Sequence, residues 1–424
     1  MLICVRFLRR SAGVHSEWMR FAGGESLSGF RFSSVLWLSV FGALGCSAES
    51  LHTTALQSKC EAAEDITLPP LNTEDRNDFD ARIQWYKANA KPDVFRGASQ
   101  TRVHHVHIAA PCGRVAARRI AIIPGVGETC GYWAEFIEHA FRRGFAVDCM
   151  DLTGQGQSEP LADKDSIHMN SFEQAAADVA YFLDKIVTAE GTSCFTPSTT
   201  VLAHSTGAAL TLEAFAQKRG LQEKIQKVIL SSPLLGLNLG EHVLRYIQNK
   251  PTKLLTGLFY YLRGLWDPTL LARDHTQDSD YESSFREEIQ EAIDEGRIKG
   301  ARLAFRTYLN ELDPHIQRKG PTFGWVKQIR AGLQRLNNAY ADREHPLKGL
   351  ASPMALIHRD DFDDPVVSGR AQQRFCERVG NCTLIPQKIY HSFVTAEDEV
   401  FQDATDWSLE FAQREHQRTP AAAK

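Results

Sequence analysis

The run Thr200-Val201-Leu202-Ala203-His204-Ser205-Thr206-Gly207-Ala208-Ala209-Leu210 decides the fold. An apolar segment stops abruptly, a serine follows between small residues, and a helical pattern begins at once with Leu210, Leu212 and Phe215. This is the strand, sharp turn, helix arrangement called a nucleophile elbow, with the usual signature G-x-S-x-G. Ala203 holds the first glycine position and Gly207 the second. Small residues are needed there because the turn brings strand and helix backbones together. The same turn lifts the serine above the sheet edge and aims a helix N-terminus at it.

Outward from this stretch, strands and helices alternate. On the N-terminal side, Asp75 to Ala88 reads as a helix and Arg102 to Ala110 as a strand. Arg119-Ile120-Ala121-Ile122-Ile123 is a buried strand that runs into Pro124-Gly125-Val126-Gly127-Glu128. Trp133, Phe136, Ile137, Ala140 and Phe141 mark one helical face, and Gly144 ends that helix. Phe145 to Asp151 is the next strand. Ser171 and Gln174 form a capping box before a helix that buries Phe172, Val179, Phe182, Leu183 and Ile186. On the C-terminal side, Val228-Ile229-Leu230 and Pro353 to His358 are strands, a helix runs through Phe375, and a strand surrounds Leu384-Ile385. A terminal helix spans about Val400 to Gln413. Such alternation implies an α/β fold with a mostly parallel central sheet covered on both faces.

The rhythm breaks from Leu234 to Arg318, where the pattern is helical and strands are missing. Leu254, Leu255, Leu258, Phe259, Leu262, Leu265 and Trp266 make a broad apolar face, and Glu287 to Glu295 reads as acidic and mostly solvent-facing. This is an inserted helical cap. Its apolar face serves either cap-to-core packing or a lipid-binding cleft.

Other motifs carry less. Of His104, His105 and His107, two share a strand face, but no third ligand stands at metal spacing, and they read as solvated edge-strand residues. Gly154-Gln155-Gly156 lacks the third glycine and the ribose-binding acid of a nucleotide loop.

A serine hydroxyl is a poor nucleophile near neutral pH and needs a base, which in turn needs an acid to hold its tautomer. Ser205, an aspartate within 360–364, and His391 follow in the chain order of the α/β-hydrolases. Both partners fall on loops beyond apolar strands, at the sheet edge where Ser205 emerges.

Taken together, the motifs resemble the monoacylglycerol-lipase-like α/β-hydrolases, most closely the bacterial membrane lysophospholipases among them. The resemblance covers about Ile120 to Val400 and is weakest in the cap. Pro124-Gly125-Val126-Gly127-Glu128 is similar to the oxyanion motif H-G-x-x-E, with proline for histidine as in the lysophospholipases. Asp151 to Ser158 is similar to D-x-R-G-x-G-x-S, with Thr153 for arginine. Leu202-Ala203-His204-Ser205, Gly320-Pro321-Thr322-Phe323-Gly324-Trp325-Val326 and Arg374-Phe375-Cys376-Glu377 also match. Tyr390-His391 matches the catalytic histidine loop, with Ser392 where glutamate is usual.

The resemblance implies Ser205 as nucleophile, His391 as general base, and the backbone N–H groups of Val126 and Thr206 as the oxyanion hole. The family pattern D-x-V-V places the acid at Asp364, although the loop is about two residues longer than usual and Asp361 and Asp363 lie close by. The implied reaction is hydrolysis of one acyl ester in a lysophospholipid or monoacylglycerol, without metal or organic cofactor. The alternatives are an esterase or acyltransferase for small soluble esters, and a non-catalytic envelope binding protein on the same fold.

The chain of 424 residues, 43% hydrophobic, has a formal charge of −4 that does not suggest a nucleic-acid partner. Its expected organisation is a signal over 1–46, a polar tether over 47–72, core over 73–233, cap over 234–318 and core over 319–424. Val35 to Gly45 is too short to span a bilayer comfortably and suits a secretory h-region. Ala43-Leu44-Gly45-Cys46 resembles a lipoprotein cleavage site; an ordinary cleaved signal and an uncleaved anchor are the other readings. Nine cysteines fit an oxidising envelope compartment, with Cys376 and Cys382 placed either to close a small loop or to remain thiols. The expected setting is the cell envelope beside a membrane surface. Nothing in the sequence fixes an oligomeric state.

Overall fold

The computed structural model describes residues 76–98, 100–111, 118–163, 166–187, 198–237, 279–316, 320–341 and 352–414. The signal and tether readings, Cys46, and the apolar face from Leu254 to Trp266 lie outside the described residues.

The described residues begin with α1 (Arg76–Asn89), β1 (Ala90–Arg96) and β2 (Arg102–Ile108), then β3 (Arg118–Ile123), α2 (Ala134–Arg142), β4 (Ala146–Met150) and the short β5 (Ser166–Ile167). Next come α3 (Phe172–Tyr181), β6 (Ser198–His204), α4 (Ser205–Gln217), α5 (Leu221–Lys224) and β7 (Lys227–Ser231). In the insertion, α6 (Ser279–Asp294) and α7 (Gly300–Leu312) are described. The chain then continues through β8 (Gly320–Pro321), α8 (Phe323–Ala341), β9 (Met354–Arg359), α9 (Gly369–Val379), β10 (Cys382–Gln387) and α10 (Asp398–Gln413).

The main sheet has the order β1-β2-β4-β3-β6-β7-β9-β10. β2 is antiparallel to both neighbours, and every pair from β4 to β10 is parallel. Because side chains alternate across a strand, β3 sends Ile120 and Ile122 into one apolar cluster and Ala121 and Ile123 into the other. One cluster includes residues of α3, α4, α8 and α9; the other includes residues of α2 and α10. Each fully buried Leu, Ile or Phe in these layers contributes roughly 1.5–3 kcal/mol relative to exposure, so the strand alternation holds the register that places the elbow.

Three expectations change. Residues 102–108 are not an edge strand: β1 covers one side and β4 the other. Its histidines are accordingly tied in, His104 Nδ1 to Asp151 at 3.0 Å and His107 Nδ1 to Asp148 at 2.8 Å. His105 is buried against the rings of Phe95 and Phe182. β1 itself gives little strand signal, since four of its seven residues in a row are exposed. Ile186 is only half-buried, because Phe182–Val187 winds as a π-helix and shifts the phase of the helical face.

The acidic stretch at the end of α6 does face solvent for the most part. Cys376 and Cys382 form a disulfide across a turn at Gly380, whose φ of 78° is the left-handed cap that glycine adopts easily. A second disulfide, Cys130–Cys149, was not signalled by spacing. Among the described residues no helix is long and apolar enough to cross a membrane.

Candidate active site

β6 ends at His204, and Ser205 turns the chain directly into α4. Ser205 has φ 49°, a left-handed conformation that costs a non-glycine residue energy and persists only where its surroundings enforce it. Gly207 supplies the enforcement. A Cβ there would lie 2.2 Å from the carbonyl oxygen of Pro124 and 2.5 Å from that of Ile123. The loop after β3 therefore packs directly on the first turn of α4, and only glycine fits. Gly125 is similarly pressed, with Ser205 Cβ 3.2 Å from where its own Cβ would be.

Ser205 Oγ lies 3.1 Å from His391 Nε2, and His391 Nδ1 lies 2.8 Å from Asp364 Oδ2. The three sequence-derived residues thus meet across 186 residues of chain, from the first residue of α4 and from the loops beyond β9 and β10. Asp364 is buried, and its Oδ1 accepts the backbone N–H groups of Val366 and Val367 at 2.8 and 3.0 Å. Asp361 and Asp363 are exposed; Asp361 is engaged by Arg297 and Arg359 instead. Of the three candidate acids, Asp364 is the one on the histidine.

Val126 is half-buried on the loop after β3, and Thr206 is buried in the first turn of α4. First-turn amides have no intrahelical acceptor and point out of the helix start. The loop is held from several sides. Gly127 N–H donates to Gln155 Oε1 at 2.6 Å, which gives the Gly-Gln-Gly turn a role in shaping the loop after β3. Asp151 accepts Cys130 N–H and the Thr129 hydroxyl, and the Cys130–Cys149 disulfide ties the same point to β4. Thr153, at the position where arginine is usual, donates to Asp178 at 2.5 Å.

Behind the serine lies a cluster centred on Glu128. Its Oε2 accepts Gly125 N–H at 2.8 Å and Trp133 Nε1–H at 3.2 Å, and lies 3.0 Å from His204 Nδ1. Its Oε1 accepts Arg306 Nη2–H at 3.1 Å. Burial works to raise the Glu128 pKa, but His204, Arg306 and the Gly125 amide outweigh it and hold the carboxyl well below the usual range. For His391, burial works to lower the pKa. The Asp364 carboxylate overcomes this and raises it, with Glu128 adding to the rise and Arg306 opposing it.

The insertion grips the same loops. Arg297 bonds Asp360 and Asp361 at 2.9 and 3.0 Å, and Tyr390 O–H donates to Glu288 at 2.7 Å. Arg302, buried, makes two bonds to Glu135 at 2.8 and 3.0 Å and donates to the carbonyl of Ala396. Sequence reading missed the three arginines, Arg297, Arg302 and Arg306. The available signal was faint: Arg302 and Arg306 are four apart and so share one helix face.

A hydroxyl, an imidazole and a buried carboxylate in this order, on an eight-stranded sheet of this topology, define an α/β-hydrolase. Residues 115–398 match the family model described as serine aminopeptidase, S33. The match spans more than half of the chain, and the chain belongs to this family; it is a hydrolase. It is 26% identical over 319 residues to Lysophospholipase L2 of Escherichia coli, covering 70% of this chain and 81% of that protein. It is 25% identical over 253 residues to the probable lysophospholipase L2 of Haemophilus influenzae, covering 59% and 72% respectively. In fold it resembles a soluble variant of monoglyceride lipase from Saccharomyces cerevisiae, with TM-score 0.55 and 18% identity, covering 76% of this chain and 95% of that one. It also resembles Paleococcus ferrophilus monoacylglycerol lipase, with TM-score 0.50 and 16% identity, covering 73% and 98%.

Proposed function

We propose that the protein hydrolyses the carboxylic ester of a single-acyl lipid, a lysophospholipid or monoacylglycerol, through a Ser205–His391–Asp364 triad. The observation that carries this reading is His391 bridging Ser205 Oγ at 3.1 Å and Asp364 at 2.8 Å. The similarity to lysophospholipases and monoglyceride lipases supports the substrate class.

Asp364 holds His391 with its proton on Nδ1, leaving the Nε2 lone pair toward Ser205. His391 takes the hydroxyl proton as Oγ attacks the ester carbonyl. The tetrahedral oxyanion accepts hydrogen bonds from Val126 and Thr206 N–H. Its collapse expels the glycerol oxygen, which takes the proton from His391, and leaves an acyl-enzyme on Ser205. Water, deprotonated by His391, attacks the acyl carbon; Ser205 departs with that proton and the fatty acid is released. A raised His391 pKa suits a group that must accept and then return a proton.

We propose the cell envelope as the site of action, on the apolar run Val35 to Gly45 and the lipoprotein-like Cys46 that follows it. Two disulfides in the described core suit an oxidising compartment.

The test is kcat/KM over a series of acyl lengths on glycerol and on glycerophosphocholine, with product analysis. Each added methylene buried in a cleft contributes about 0.8 kcal/mol, so two carbons improve kcat/KM by roughly tenfold until the cleft is full. A profile that is flat or falls from acetate upward moves the protein to small soluble esters.

A further inference from the structure

We propose that Arg306, reaching in from the insertion, is a positioning residue for the catalytic base, acting through Glu128. The inference rests on the triad reading above and concerns residues outside the triad.

Arg306 belongs to α7, which also carries the buried Arg302 that anchors this helix to α2 and to the loop after His391. The Arg306 guanidinium lies over the Tyr132 ring at 5.0 Å and bonds Glu128 Oε1 at 3.1 Å. Its side chain is 21% exposed, whereas that of Glu128 is 7% exposed. The other oxygen of Glu128 engages both Gly125 N–H, next to Val126, and His204, next to Ser205. The His204 ring in turn stands 5.0 Å from that of His391. One carboxylate thus joins the oxyanion loop, the residue before the nucleophile, and a helix of the insertion. A buried carboxylate must be compensated. Arg306 supplies a permanent full charge on the side of Glu128 opposite His204 and Gly125, and so holds Glu128 ionised and in place.

This pair also faces His391 with opposite charges. The charged or titratable groups acting on His391 are Asp364 from the loop after β9, Glu128 from the loop after β3, Arg306 from α7, and His204 at the end of β6. Glu288 of α6 reaches the neighbouring Tyr390 hydroxyl. Glu128 favours the imidazolium and Arg306 disfavours it. Since His391 must be neutral to accept the serine proton, removing each charge moves the acid limb of activity in a different direction.

The test uses the full chain with an uncharged monoacylglycerol, and in parallel a lysophosphatidylcholine of the same acyl length. Arg306→Gln should move the acid limb of kcat/KM up by about half a pH unit and lower kcat about tenfold with little change in KM. Glu128→Gln should move the limb down by a similar amount, with a larger loss of kcat. Arg306→Lys keeps the charge and should restore the limb. The rate of fluorophosphonate labelling against pH gives the same limb without any lipid. It also keeps the proposal testable through Arg306 alone if Glu128→Gln does not fold. Limbs that stay put, or that move in the same direction in Arg306→Gln and Glu128→Gln, overturn the proposal. So does a loss confined to the phosphate-bearing substrate, which would make Arg306 a head-group contact. If wild-type protein cleaves neither lipid yet labels at Ser205, the substrate reading fails while the limb shifts still decide the role of Arg306.

Discussion

Ser205 and the two residues bonded in line with it, His391 and Asp364, are held by different means. Ser205 is fixed by backbone: β6 ends, α4 begins, and Gly207 lets the loop after β3 close against the turn. Asp364 and His391 sit on longer loops that depend on distant side chains. Arg297 grips the acid loop, Glu288 the histidine loop, and Arg302 the segment just beyond it. All three come from the insertion. The elbow is a local device that belongs to the sheet. His391 and Asp364 are a long-range assembly, in which side chains of the insertion hold the loops.

The largest effects are expected at Ser205 and His391 themselves. His391→Ala and Ser205→Ala should each lower turnover by about 10⁴ or more, and the double variant should be little worse than either single. Steady-state rates on one lipid ester decide it; near-additive losses would mean that the two do not act as a unit.

On the elbow side, Gly207→Ala forces a Cβ into two backbone carbonyls that cannot swing aside. The expected loss is about 4–5 kcal/mol, read as a fall in the urea midpoint or as failure to accumulate folded protein. A stable, active Gly207→Ala protein would show that the elbow is looser than the backbone contacts imply.

On the loop side, Arg302→Ala leaves Glu135 buried without its guanidinium, at a cost of roughly 3–5 kcal/mol in urea unfolding. Arg302→Met combined with Glu135→Leu should recover much of that, since the buried pair as a whole is worth little net. The smallest effect belongs to Arg297→Ala. Asp360 and Asp361 are 42% and 39% exposed, so solvent screens the pairs, and stability should fall by no more than about 1 kcal/mol. Activity should fall only a few-fold, equally on short and long esters, because the contact acts on the acid loop. A loss restricted to long acyl chains would place Arg297 in substrate binding instead.

The same contrast explains what could be read from the chain. Ser205, Gly207 and the strand before them were legible because backbone crowding demands small residues at fixed spacing. Asp364 was legible once Val366 and Val367 fixed its register, and those two amides are the ones that hold its carboxylate. The long-range charges were not legible: nothing near Arg306 in sequence marks Glu128, 178 residues away, as its partner. The Cys130–Cys149 disulfide spans a whole helix and the turn at Gly144, and a separation of 19 residues gives no local cue that its cysteines pair. β1 was hidden because an exposed strand carrying Lys91, Pro92 and Asp93 lacks the apolar alternation that reveals buried strands. The histidines of β2 were misread for the same reason, since without β1 the strand stands at an edge.

The most direct test of the central claim is site-resolved labelling by a fluorophosphonate, followed by intact mass and peptide mapping of the full chain. One adduct is expected, on Ser205, absent in Ser205→Ala and formed far more slowly in His391→Ala and Asp364→Ala. Labelling that persists in Ser205→Ala, or that proceeds at the wild-type rate without His391, would contradict it.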